Sequence, residues 1–144
     1  MKIADLIQSR SEVFSISVDT TVHDTARYLR EKKVRAVGVC DAQGKLVGVV
    51  SQSDISNKVA AENKCPAWMG VSEIMTSALV VVPPETPLDE CLRLMEKHDI
   101  FHLPVMDQNG KYRGMLSVKD LLKVIASDEK ARADMLEAFL FPQR

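Results

Sequence analysis

Residues 48–54, Gly48-Val49-Val50-Ser51-Gln52-Ser53-Asp54, recur at 114–120 as Gly114-Met115-Leu116-Ser117-Val118-Lys119-Asp120. Each copy runs glycine, two apolar residues, serine, two variable residues, aspartate. Self-similarity at a fixed period marks one supersecondary unit used more than once. The period of 66 holds without a gap outside the motif, matching Thr20 to Thr86, Arg27 to Arg93, Val39 to Val105, Asp41 to Asp107, Gly44 to Gly110, Lys45 to Lys111 and Ala60 to Ala126. Upstream, Ile3-Ala4-Asp5-Leu6-Ile7 is echoed by Val71-Ser72-Glu73-Ile74-Met75 at a spacing of 68, so the first repeat carries two extra residues near Gln8 to Glu12.

Outward from the motif, each unit reads strand–helix–strand–strand–helix. In the first, a lead-in helix over residues 2–8 precedes extended Val13 to Ser17. Thr20 to Lys32 then sets Val22, Ala26 and Leu29 at helical spacing. Val34 to Val39 and Leu46 to Val50 are β-branched runs joined by the turn Asp41-Ala42-Gln43-Gly44, and a helix follows from Ser53 to about Ala61. Glu62 to Gly70 has no periodicity and reads as a linker, with Trp68 expected to fold onto the core. In the second unit Leu79 to Val82 is extended. A helix from Pro87 to His98, with proline at its first position, aligns Leu88, Cys91, Leu92 and Met95. His102 to Met106 and Tyr112 to Leu116 flank a turn, and the last helix starts near Val118 and runs past Ala126. Met135, Leu136, Phe139, Leu140 and Phe141 extend its apolar pattern. The fold class is α+β, with repeats at 1–62 and 71–127, a linker at 63–70 and a helical tail at 128–144. About sixty residues bury too little apolar surface to stand alone, so the repeats are expected to pack about a pseudo-twofold axis, with two equivalent clefts between them.

Composition narrows the function. At 144 residues, with 46% apolar and 27% charged residues and a net charge of −1, the chain has no basic footprint for nucleic acid. Its apolar runs are too short for a membrane span, and Met1-Lys2-Ile3-Ala4-Asp5 lacks the pattern of a signal peptide. Cys40, Cys65 and Cys91 are far apart and lack metal or disulfide spacing, so reduced thiols in a cytoplasmic protein are expected. His98 and His102 have no third ligand nearby, so no metal site is expected. No residue is placed as a catalytic nucleophile.

Ser-x-x-Asp at a strand-to-helix junction has two compatible readings. It is a capping box, in which serine caps the helix and the acid bonds back. It also suits a nucleoside: the glycine admits a ligand to the strand end, the amides and hydroxyl suit a phosphate or sugar oxygen, and the carboxylate can accept from both ribose hydroxyls. The motif by itself does not choose.

The doubled motif, the stretch His102-Leu103-Pro104-Val105-Met106-Asp107, the lead-in Val71-Ser72-Glu73-Ile74-Met75-Thr76 and the element order resemble a pair of cystathionine-β-synthase (CBS) domains over residues 2–126. The resemblance implies a stand-alone regulatory module (a Bateman module) that binds AMP, ADP or ATP, in some members NAD or S-adenosylmethionine, and is neither an enzyme nor dependent on a cofactor. It assigns Asp54 and Asp120 to ribose and Ser51, Ser53 and Ser117 to hydroxyl contacts. Ser15, Ser17, Ser77 and Leu79 lie on segments that contact adenine, and His102 and Lys119 reach phosphate. Arg35 stands one position from the usual cation, which makes the Asp54 cleft, with His102 and Lys119 opposite, the better phosphate site. A homodimer of two pairs and an effector protein are implied as partners. The alternative is a ligand-free structural or interaction protein in which serine and aspartate only cap.

Overall fold

The computed structural model describes residues 3–10, 12–127 and 129–140. The first repeat comprises α1 (Ile3–Gln8), β1 (Ser15–Ser17), α2 (Val22–Lys32), β2 (Ala36–Cys40), β3 (Leu46–Ser51) and α3 (Gln52–Ile55), the last continued by a π-helical turn over Ser56–Ala60. The second comprises α4 (Leu88–His98), β4 (His102–Met106), β5 (Tyr112–Ser117) and α5 (Val118–Ser127), and α6 (Glu129–Leu140) follows. The expected α+β class, with two tandem units of one design, is what the chain adopts. Among the described residues no helix is long and apolar enough to cross a membrane.

The repeat symmetry reaches the register. In the first sheet β1 runs parallel to β2, with Ile16 opposite Val39, and β2 runs antiparallel to β3. In the second, β4 pairs antiparallel with β5, and the pairing shifts between Val105 and Met106 as it does between Val39 and Cys40. Asp41 Oδ1 accepts from the amides of Gln43 and Lys45, and Asp107 Oδ1 from those of Asn109 and Lys111, fixing two like turns. The strand expected over Leu79 to Val82 is reduced to one parallel bridge, Val82 to Val105. The cause is Pro83-Pro84. In the first repeat Val18 N donates to Cys40 O at 3.0 Å, and Pro84 occupies the matching position without an N–H to give.

Each lead-in crosses to the other repeat. Ile3 and Ile7 of α1 are buried with Val82, Leu92, Leu103, Leu116 and Leu121 of the second repeat. Val71 and Ile74 are buried with Ile16, Leu29, Val37, Val39 and Val50 of the first. The crossings start alike: Val71 N donates to Thr20 O at 2.8 Å and Ile3 N to Thr86 O at 3.5 Å. The two cores are therefore completed by exchanged segments. Tyr112 of β5 lies flat over Gly38 of β2, where a Cβ would sit 2.6 Å from the ring, so glycine here sets how closely the two sheets approach.

Several local readings need correction. Trp68 does not fold onto the core; it is 87% exposed on a single turn over Pro66–Trp68. The helix expected from Ser53 to Ala61 is α-helical only to Ile55. Pro87 is not the first helical residue but the extended residue before it (ψ 152), because the Thr86 hydroxyl donates to Pro83 O at 2.7 Å instead of capping. In α2 the buried residue is Thr25 rather than Ala26, its hydroxyl donating to Thr21 O at 2.8 Å. The last helix is two helices. α6 packs back against α4 and α5 with Ala138 buried, leaving Leu136 and Leu140 exposed. Phe141 lies outside the described residues, as do the side chains of Met135 and Phe139.

Candidate functional site

Both copies of the opening motif form capping boxes. Ser51 Oγ accepts from Asp54 N at 3.3 Å, and Asp54 Oδ2 accepts from Ser51 N at 2.9 Å and from the Ser51 hydroxyl at 3.1 Å. In the second copy Asp120 Oδ2 accepts from Ser117 N at 2.9 Å and Ser117 Oγ accepts from Asp120 N at 3.1 Å. The motif glycines do not admit a ligand. A Cβ on Gly48 would collide with Met75 Sδ, and one on Gly114, at φ +139°, would meet Ile7 Cδ1 at 3.1 Å. They make room for the exchanged lead-ins.

Beside Asp54 a cavity of about 580 Å³ opens between the repeats. The first repeat contributes Arg35, Ala36, Val49, Ser51, Gln52, Ser53 and Asp54; the second contributes Thr76, Ala78, Leu79, Val80, Ile100, Phe101, His102 and Pro104, with Asp99 at the rim of the set. One wall is thus polar and ends in a carboxylate, and the facing wall is largely apolar. That volume and mixture are ordinary for a small-molecule site.

Asp54 is only partly free. Its side chain is 14% exposed, and Oδ1 lies 3.1 Å from Lys58 Nζ, which also donates to Ile74 O at 2.9 Å. A carboxylate offers about four lone-pair sites, and three are engaged within the chain. Asp54 as it stands has room for one ribose hydroxyl. Accepting both requires the half-exposed Lys58 to turn away.

The cavity's standing cation is Arg35, exposed and part of its lining. His102 does not supply the positive charge expected of it. Burial lowers its pKa below the ordinary 6.5, Asp120 raises it and Arg35 lowers it further, so the imidazole is neutral at pH 7. Lys119 is exposed on α5 and not among the lining residues, and Ser77 is exposed beside the lining residues Thr76 and Ala78. Ser15 and Ser17 sit exposed on β1, away from this cavity, with Ser17 Oγ accepting from Asp19 N at 3.2 Å. Of the residues singled out from sequence, the cavity gathers Arg35, Ser51, Ser53, Asp54, Leu79 and His102. Ala78 and Val80 lie in the Ser77-to-Val80 segment read as an adenine contact, whereas Thr76 and Phe101, like Ala36, Val49, Gln52, Asp99, Ile100 and Pro104, were not singled out. Their one signal is proximity in sequence to residues that were, since the repeated identities mark Ser51 and Asp54 but none of these.

The other copy is arranged differently. Arg10, just past α1, places Nη2 2.9 Å from Asp120 Oδ2 and donates from Nη1 to Met115 O at 2.6 Å. Both partners are 28% exposed. Two of the thiols are poor nucleophiles: Cys91 is buried and pushed up to about 12 by burial, and Cys40 is raised by the same cause; Cys65 is exposed and not among the lining residues.

A model of the CBS domain matches residues 3–61 and again residues 71–127. The chain is 31% identical over 121 residues to the CBS domain-containing protein YhcV of Bacillus subtilis (strain 168), a match that takes in 84% of each. It is 32% identical over 108 residues to inosine-5'-monophosphate dehydrogenase of Nitrosopumilus maritimus (strain SCM1), where 75% of this chain covers 21% of the dehydrogenase. The chain thus spans about a fifth of that enzyme's length. Among solved structures, a protein with CBS domains from Burkholderia ambifaria MC40-6 superposes with a TM-score of 0.81 at 29% identity, covering 90% of this chain and 96% of the other. The CBS domain pair of protein MJ0100, solved in complex with 5-methylthioadenosine and S-adenosyl-L-methionine, superposes with a TM-score of 0.79 at 23% identity over 88% of this chain and 97% of that one; at that identity the likeness is one of fold.

Proposed function

The chain belongs to the CBS domain family as a tandem pair, and on that premise we propose that it is a regulatory module sensing an adenosine-containing ligand in the cleft beside Asp54. The observation that carries this reading is the cavity itself. A carboxylate set by a capping box faces an apolar wall of Ala78, Leu79 and Val80, with one arginine at hand. Such a site takes a ribose on the acid, a base against the apolar wall and a phosphate on Arg35. AMP, ADP and ATP are the leading candidates, with NAD and S-adenosylmethionine beside them, the last in keeping with what the MJ0100 pair holds. Arg35 is the one lysine or arginine among the lining residues and Asp99 brings an opposing charge, which favours ligands with few phosphates. The module does no chemistry of its own in this reading. Its output is a change in self-association, as a homodimer, or in affinity for an effector chain, with reciprocal coupling between ligand and partner.

The test is a thermal melt with and without millimolar AMP, ATP, NAD or S-adenosylmethionine. A ligand at about 100 times its dissociation constant adds roughly 2.7 kcal/mol, a rise of several degrees. Asp54→Asn keeps side-chain volume and part of the cap, so it should fold with a loss of about 1 kcal/mol. It removes a charge-assisted hydrogen bond to ribose worth roughly 1.5–3 kcal/mol, so affinity should fall about ten- to a hundredfold by calorimetry. Unchanged melts with every ligand would leave the ligand-free interaction protein as the better reading. Unchanged affinity in Asp54→Asn would remove ribose from the carboxylate.

A further inference from the structure

Resting on the reading of the Asp54 cleft as a nucleotide site, we propose that Lys58 selects among adenine nucleotides there, favouring those that carry a further phosphate on the ribose 2′ or 3′ oxygen. The choice is set by what Asp54 has left to offer. Its Oδ2 accepts from the Ser51 amide at 2.9 Å and from the Ser51 hydroxyl at 3.1 Å, which fills that oxygen. Oδ1 meets Lys58 Nζ at 3.1 Å and keeps one lone pair, where holding both hydroxyls of a ribose takes two. The Lys58 ammonium has three N–H donors. One goes to Asp54 Oδ1 and one to Ile74 O at 2.9 Å, which leaves one. The pair therefore presents one acceptor and one donor side by side, not two acceptors. One ribose hydroxyl donates to Oδ1. The oxygen on the neighbouring carbon is met by a cation, and the group that suits a cation best is an anion.

The place of Lys58 fits a substituent on the sugar. It is half-exposed and not among the cavity's lining residues, so it meets a group that projects past Asp54 and not the 5′ phosphate assigned to Arg35. A hydroxyl donating to Oδ1 at about 2.7 Å lies within about 6 Å of Nζ, a gap that a phosphate ester on the adjoining ribose carbon spans. The ammonium is also held in place: Ile74 belongs to the exchanged lead-in and is buried, and its carbonyl anchors Lys58 from the second repeat. Each phosphate then has its own cation, which respects the balance of Arg35 and Asp99 in the cavity. The second repeat has no such group. The residue 66 positions on is Val124, buried in a regular helix, whereas Lys58 sits in the π-helical turn over Ser56–Ala60. Turns of that kind recur at functional sites. The repeats share the cap, and the cation beside it belongs to one cleft.

Isothermal calorimetry on the whole chain tests this with three ligands that share a 5′ phosphate: AMP, adenosine 2′,5′-bisphosphate and adenosine 3′,5′-bisphosphate. In the wild type at least one bisphosphate should bind about tenfold or more tighter than AMP, as one charge-assisted bond implies. Lys58→Gln should bring that ratio to one or below, and Lys58→Arg should keep it. An ion pair that only braces the helix would leave the ratio where it was. A ratio that persists in Lys58→Gln, or a wild type in which neither bisphosphate binds tighter than AMP, overturns the assignment and leaves the Asp54 reading standing. No binding of any of the three ligands by the wild type overturns the cleft reading itself, and this assignment with it.

Discussion

His102 lies at the cavity beside Asp54, feels Asp120, the acid of the second motif, as well as Arg35, and is partly buried at the start of β4. Its folded pKa lies below the unfolded value, so the unfolded chain binds the proton more readily. Between the folded pKa and about 6.5 the unfolded state holds more protons, and stability rises with pH through that window. The contribution is complete above about 6.5 and is lost as pH falls through the folded pKa. Urea denaturation across pH 5 to 7.5 should show this rise in wild type and a flatter profile in His102→Gln. Identical profiles would place the acid sensitivity elsewhere. At this scale the repeated motif located Ser51 and Asp54, which line the cavity, and the capping boxes of both copies, because a motif repeated in register names its own residues. The sequence was not legible for the cation. The motif cannot report that burial leaves His102 neutral, or that Lys119, one residue before the acid, is not among the cavity's lining residues.

At the scale of the element, the two central helices end alike on a residue that is not glycine. Lys33 closes α2 at φ 57°, its amide bonding back to Arg30 O and Leu29 O, and Asp99 closes α4 at φ 51° in the same way. The left-handed conformation strains an ordinary side chain by about 1–2 kcal/mol, part of which glycine gives back in unfolded-state entropy. Lys33→Gly should therefore raise the melting temperature by about 2–4 °C, read by calorimetry. Lys33 is the position to use, since Asp99 borders the cavity. A lower melting temperature would show that Lys33 makes a contact that outweighs its backbone strain. The elements themselves were largely legible. Leu88, Cys91, Leu92 and Met95 lie on one buried stripe as their spacing requires, and β2 to β5 fall within two residues of the β-branched and hairpin signals. What periodicity missed are effects of single atoms: the Pro84 nitrogen that ends pairing at Val82, and the extra residue per turn in Ser56–Ala60 that no apolar pattern records.

The interleaved cores should make the whole molecule unfold as one cooperative body. The spacing of 68 between the lead-ins was visible in the sequence, but a period states what is alike and not which core each copy enters. α1 places Ile3 and Ile7 in the second core, and Val71 and Ile74 enter the first. Ile7→Ala should cost about 2–5 kcal/mol through the cavity it leaves. Hydrogen exchange should show amides of β2 and β4 losing protection together, although Ile7 touches only the second core. Loss confined to β4 would mean two separately folding units.

The exchanged lead-ins also set an order of events when the chain is made. Residues 3–8 are synthesised well before residues 82–125, which build their seat. The first core meanwhile waits for Val71 and Ile74. The first core can close once Ile74 is made, but the second needs Ile3 and Ile7 together with residues as late as Ile125, a long-range closure of the kind that slows folding. Until then α1 waits with Ile3 and Ile7 uncovered, a short apolar segment within reach of chaperones during translation: an element made early is one that docks late.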